Sequence, residues 1–144
     1  MTSKNFKFLF FAWIVAAVST LGSLFFSEVI GYPPCSLCWY QRICMYPLVI
    51  VLAIGLFPID QKVYKFSMPL ALIGWFFAIY HNLLHWNIIP ETAAPCRQGV
   101  ACSTVYINWL GFITIPLLSL IAFTLILISL KLFKNNTNGD LKNV

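Results

Sequence analysis

Four runs of this chain stay free of charge for long enough to approach or exceed the width of a lipid bilayer, and that pattern limits the fold more than any other feature. The runs cover residues 8–27, 43–59, 68–89 and about 105–130. A helix needs about 20 apolar residues to cross the hydrocarbon core. The second run falls short of this, but Trp39 and Tyr40 just before it suit the aromatic belt at a membrane interface. Only 9% of the 144 residues are charged and 60% are hydrophobic, whereas a soluble domain carries roughly 25% charged residues. Such a chain could not cover its own surface in water. The expected fold is all-α, an integral membrane four-helix bundle forming one domain over residues 1–134. The polar end "KNNTNGDLKNV" predicts a disordered cytoplasmic tail over 135–144.

The first run is read as a retained span and not as a cleaved signal peptide. It exceeds the usual 7–15 apolar residues of a signal h-region, and no A-x-A site follows it. The net charge of +5 forms no basic face; the lysines sit in pairs at the ends of apolar runs, as in Lys4 and Lys7 or Lys62 and Lys65. Nucleic-acid binding is therefore set aside in favour of topogenic charge. The N-terminus, the loop between the second and third runs and the C-terminal tail hold all seven lysines, while the other two loops hold only Arg42 and Arg97. The positive-inside rule then predicts cytoplasmic termini, with residues 28–42 and 90–104 on the other side, the outer face of a bacterial membrane or an organelle lumen. Four of the five cysteines, Cys35, Cys38, Cys96 and Cys102, fall in those two loops.

An oxidising compartment permits disulfides, so plain structural staples are a serious reading of these pairs. Closing a loop stabilises less as the loop shortens, and the C-S-L-C ring and the stretch from Cys96 to Cys102 constrain little chain. Small CxxC rings exchange readily, which suits redox chemistry better than bracing. Zinc is a further alternative with four thiolates available, but the second spacing is loose for a zinc ribbon and the oxidising side disfavours free thiols. A c-type haem needs CxxCH, and position 39 is Trp.

Pro33 and Pro34 stop any helix from running into the pair. A second helix beginning near Trp39 would put Cys38 at its N-terminus, where the helix dipole favours a thiolate. Arg42 follows one turn later on the same face, where it can stabilise that thiolate or an anion forming on a bound acceptor. Its alternative role is a snorkelling interface arginine. Cys44, on the opposite side and within the apolar run, reads as a buried inert thiol. Pro47 denies the carbonyl of Ile43 its helical partner and leaves polar backbone near the site.

A dithiol that is reoxidised repeatedly needs an electron sink, and no flavin or dinucleotide fingerprint is present. A quinone arriving from the lipid bilayer, menaquinone or ubiquinone, is the expected acceptor. The third run carries "YHNLLHW", with His81 and His85 four residues apart. Polar residues within a span are costly and usually serve function. Two histidines on one helical face cannot fill both axial positions of one haem iron. They are expected instead to hydrogen-bond the quinone or relay its protons, with a simple interface role equally open for His85.

The segments "PPCSLCWYQRI", "YHNLL" and "PCRQGVACSTVYINWLGFITIP" resemble the DsbB family of membrane thiol-disulfide oxidoreductases, in particular its short BdbC-type branch. The resemblance implies a bundle that reoxidises an extracytoplasmic thioredoxin-fold thiol oxidase of the DsbA or BdbD kind and passes the electrons to quinone. By that resemblance Cys96 and Cys102 exchange with the partner, Cys35 and Cys38 lie beside the quinone, and Arg42 belongs to the quinone site. Cys96 and Cys102 are closer together than in better-known members. Two rival readings are a non-catalytic membrane subunit with stapled outer loops and a vitamin K epoxide reductase-like quinone reductase. The Arg42 spacing and "YINWLGFITIP" favour the first family.

Overall fold

The computed structural model describes residues 3–90, 92 and 114–142. They form four helices: α1 (Ser3–Leu24), continued by a π-helical turn (Phe25–Val29), α2 (Ser36–Leu56), α3 (Lys62–His85) and α4 (Ile115–Lys142). All four are long and apolar enough to cross a membrane. Each helix packs on its two neighbours, α1 on α2, α2 on α3, α3 on α4 and α4 back on α1. The result is the all-α four-span bundle expected from the apolar runs.

Lipid is as apolar as a leucine side chain, so helices in a membrane associate through close packing and interhelical polar bonds. The sequence supplies both. The buried stripe of α1 is Asn5, Leu9, Ala12 and Ala16, and that of α3 includes Val63, Ser67, Ala71, Gly74 and Ala78. These small side chains admit the larger ones of α4, with Phe123, Ile126, Leu130 and Phe133 all buried. Val18, Ile50, Ile54, Phe66 and Phe76 face outward, where they meet lipid.

Three boundaries differ from the hydropathy pattern. α3 begins at Lys62, six residues before its apolar run, because lysines can extend to water while their backbone stays helical. It ends early, at His85. Asn87 adopts a left-handed φ of 56°, and the Ile88 and Asn87 amides bond the carbonyls of Leu83 and Leu84, which closes a Schellman cap. α4 continues to Lys142, through the stretch whose composition predicts disorder. That expectation is corrected by docking. Asn136 Nδ2 donates to Asn5 Oδ1 at 2.6 Å, and Thr137 is buried with its hydroxyl on the carbonyl of Phe133 at 2.9 Å. One side of a polar helix thus finds partners that composition does not reveal. The early part of the fourth apolar run, residues 105–113, lies outside the described residues.

Gly74 has no room for a side chain, since a Cβ there would land on the ring of Phe123. Overpacking of this kind costs about 1–3 kcal/mol. Gly74→Ala should therefore lower the thermal unfolding midpoint in detergent, whereas Gly22→Ala, which would meet nothing within 4 Å, should leave it level or slightly raised. Equal behaviour of the two variants would contradict this packing.

Candidate functional site

The chain leaves α1 through its π-helical turn, where the Ile30 amide bonds the Phe25 carbonyl at 3.2 Å, and reverses at Gly31. Gly31 has a φ of 81°, a conformation glycine adopts without strain. Pro33 and Pro34 then deliver an extended Cys35 (φ −71°, ψ 169°) to the start of α2. Cys35 is the N-cap, and its sulfur accepts the Cys38 amide at 3.4 Å. The helix start lies one turn earlier than Trp39. The sulfur that receives the free N–H groups and the positive end of the helix is therefore that of Cys35, not Cys38.

The two thiols are 2.9 Å apart, unbonded and sharing a hydrogen bond. They point to different surroundings. Cys35 is buried with Leu37 and Leu84, and its sulfur lies 3.8 Å from His81 Nε2. Cys38 is half-buried and lines a cavity of about 360 Å³ between α1, α2 and α4. Hydrogen bonding from the Cys38 side chain, then from His81, holds the Cys35 thiol well below the ordinary thiol range against the opposing effect of burial.

Arg42 shares the cavity wall with Cys38. Its Nε donates to Ser23 Oγ at 2.8 Å and its terminal nitrogen donates to the Ser23 carbonyl at 2.9 Å. The guanidinium also lies 5.5 Å from the centre of the Trp39 ring, within cation–π range. A snorkelling arginine would turn to water; this one is clamped across to α1. The rest of the wall is mostly apolar, with Phe26, Met45, Tyr46 and Phe123.

The two histidines of α3 have other surroundings. Neither His81 nor His85 is among the described residues lining the cavity. His81 is buried between α3 and α2, with Gln41 Nε2 at 3.2 Å from its Nδ1. His85 is half-buried, and its Nδ1 meets no bonding partner among the described residues. Cys44 sits in the main core among Met45, Leu48 and Leu52. Cys96 and Cys102 lie outside the described residues.

The ligand atoms of Cys35, Cys38 and His81 all fall within 4.8 Å of one another, a donor set with metal-binding chemistry. Two thiolates at about 2.3 Å from a tetrahedral zinc stand about 3.8 Å apart. The sulfurs here are closer than that, at 2.9 Å. Ser23 and Gln41 were not legible as site residues. Their only sequence signal is position, Gln41 immediately before Arg42 and Ser23 within an apolar run.

The sequence model of the family described as "Disulfide bond formation protein DsbB" matches residues 4–133. The "Disulfide bond formation protein C" of Bacillus subtilis is 52% identical over 127 residues, covering 88% of this chain and 92% of the relative. A "Probable disulfide formation protein C" of Halalkalibacterium halodurans is 44% identical, with 89% and 93% covered. A "Probable disulfide formation protein" of Metapseudomonas resinovorans is 39% identical, with 94% and 95% covered. No solved structure matches the chain. A CxxC pair capping a membrane helix, an arginine one turn on and these relatives agree: the chain belongs to the DsbB family of disulfide bond formation proteins.

Proposed function

We propose that this protein oxidises the dithiol of an extracytoplasmic thioredoxin-fold partner and passes the two electrons to a membrane quinone. A disulfide-forming role and a multi-pass bacterial membrane setting follow from the family and the four spans. The observation that carries the finer reading is the pairing of Cys38 with a clamped Arg42 on the wall of a largely apolar cavity. Its volume of about 360 Å³ lies at the lower end of ordinary ligand pockets, roughly 300–1,000 Å³. Apolar walls, one fixed cation and serine hydroxyls fit a flat, uncharged carbonyl compound that arrives from lipid.

When bound, a quinone supplies a two-electron, two-proton acceptor. The residues provide the rest. Arg42, immobilised by Ser23, holds a positive charge and N–H donors where an acceptor oxygen gains negative charge, and it needs no rearrangement to do so. Cys38 presents its sulfur to the cavity. Cys35, 2.9 Å away, re-forms the disulfide once the electrons have left. Cys96 and Cys102 take the exchange with the partner, whose dithiol is oxidised as their disulfide is reduced. They then pass the electron pair to Cys35–Cys38 by a second exchange. The lysine distribution supports a topology with the Cys35 end of the bundle outside the cell.

Cys38→Ser should abolish quinone reduction driven by partner dithiol, assayed with purified protein; turnover within tenfold of the parent would exclude the scheme. Arg42→Ala removes two hydrogen bonds and a charge from the cavity wall. Hydrogen bonds to charged groups contribute about 1.5–3 kcal/mol, so the apparent KM for quinone should rise roughly tenfold or more, and an unchanged KM would reduce Arg42 to a topogenic charge. A cysteine introduced at Asn87 should react with a membrane-impermeant maleimide on intact cells. One at Asp60, at the other end of the bundle, should react only after permeabilisation, and the reverse result would invert the topology.

A further inference from the structure

A second cavity, of about 500 Å³, opens at the other end of the bundle from the cysteines, between the start of α3 and the last turns of α4. Three of the chain's seven lysines line it, Lys62 and Lys65 from α3 and Lys134 from α4. Asp60 is the one carboxylate among the described residues of its wall, and an Asp60 oxygen accepts the Lys62 amide at 2.9 Å. Three lysines against one aspartate leave an excess of two positive charges around a single opening. No carboxylate among the described residues is in ion-pair contact with any of the three ammonium groups.

Charge that serves only to set topology needs no particular place on the rim of the bundle. Lys4 and Lys7 fit that description, exposed on α1 and absent from the described residues of the cavity. The other three are gathered by the fold. Lys134 crosses the seam between α4 and α3, its Nζ 4.7 Å from the centre of the Tyr64 ring, within cation–π range. That contact holds on α3 a side chain that could otherwise extend to water. Cations brought round one opening repel one another unless an anion sits among them. Beneath the lysines the cavity is apolar, with Phe133 buried and Ile59 partly buried. Phe66, next to Lys65, and Leu132, two residues before Lys134, face outward into lipid.

We propose that this cavity binds the phosphate group of an acidic phospholipid, with Lys62, Lys65 and Lys134 as its cationic contacts and Tyr64 as the residue that positions Lys134. A lysine ammonium binds phosphate as a point charge, and a basic cavity between spanning helices on the cytoplasmic side suits an acidic lipid headgroup. The lysine distribution supports that side for this end of the bundle. The charges alone would accept phosphate from a lipid or from the cytosol. The apolar floor and the lipid-facing Phe66 and Leu132 favour the lipid, since acyl chains have somewhere to lie once the headgroup is held. A lipid bound here bridges α3 and α4 at the end of the bundle that carries no cysteine pair. The proposal is therefore independent of the electron acceptor and of the redox partner.

The test is native mass spectrometry of the full-length protein released from mixed micelles holding equal amounts of dioleoylphosphatidylglycerol and dioleoylphosphatidylcholine. The parent should retain phosphatidylglycerol at least tenfold over phosphatidylcholine; equal retention overturns the proposal. A lysine near an acidic membrane surface contributes roughly fivefold in affinity, so Lys65→Gln combined with Lys134→Gln should lower phosphatidylglycerol retention at least tenfold. Lys4→Gln combined with Lys7→Gln removes the same charge from the same end of the bundle and should change it less than twofold. Equal losses in the two double variants would reveal diffuse attraction and no site. Tyr64→Leu keeps every charge and should lower retention at least threefold, while Tyr64→Phe, which keeps the ring, should match the parent; an unchanged Tyr64→Leu overturns the positioning role. Inorganic phosphate, added in excess at constant ionic strength, should not displace the lipid. Saturable phosphate binding that does displace it overturns the lipid in favour of a soluble anion. Should a variant fail to insert or fold, the parent alone decides. A phosphatidylglycerol with a photoreactive headgroup should crosslink to peptides covering 59–65 and 133–138, and crosslinking confined to the rest of the chain contradicts the site.

Discussion

Helix α2 starts on a sulfur atom, and the arrangement of the site follows from that. Two prolines bring the chain in extended, so the helix must begin at the next residue able to cap it, and that residue is Cys35. Capping turns the Cys35 side chain back over the first turn and brings it within 3.4 Å of the Cys38 amide. Three residues later the helix has rotated, and Cys38 reaches the cavity that Cys35 does not line. Arg42, one further turn on, lies beneath Cys38 and beside Ser23 of α1. A cap one residue earlier or later would swing all three side chains by about 100° and dismantle both environments together.

The bundle is held by a polar link at every seam. Arg42 joins α2 to Ser23 of α1, Gln41 joins α2 to His81 of α3, and Asn136 joins α4 to Asn5 of α1. Between α3 and α4, Trp75 donates to Thr124 at 3.0 Å and Asn82 donates to the Pro116 carbonyl at 2.9 Å. Each link contributes about 0.6–2 kcal/mol in a membrane. Their larger effect is on register. Apolar helices in lipid can slide without losing much, whereas a misplaced glutamine or arginine loses the partner it bonds across the seam. Two of the links contain residues of the candidate site, so the bonds that set the register also position the chemistry.

Four spans and the step from Cys38 to Arg42 were readable from the chain because hydropathy and helical spacing are local properties. The start of α2 was misjudged by three residues, which moved the helix terminus from Cys38 to Cys35. Local spacing shows that His81 and His85 share a face but not which neighbour that face meets, so the approach of His81 to Cys35 could not be read from it. Ser23 and Gln41 gave no signal, since a serine or glutamine gains meaning only from the atom it meets across a seam. The helical end of α4 was hidden for the same reason, its partner Asn5 being 131 residues away.

Because the two neighbouring sulfurs face different surroundings, Cys38 the cavity and Cys35 the packing against α3, the start of α2 acts as a partition as well as a support. A small molecule that enters from lipid through the cavity meets one sulfur only, and the other is reached past the packing of α3. A symmetrical dithiol in water presents either sulfur to any passing oxidant, and its half-reacted form is open to attack from all sides. Here the pair is polarised by its location, with one face addressed to lipid and the other to protein. A half-reacted state on the lipid face can be resolved only from within the chain. Insulation of this kind would let a reactive pair operate at the edge of a membrane crowded with other electron carriers without short-circuiting to them.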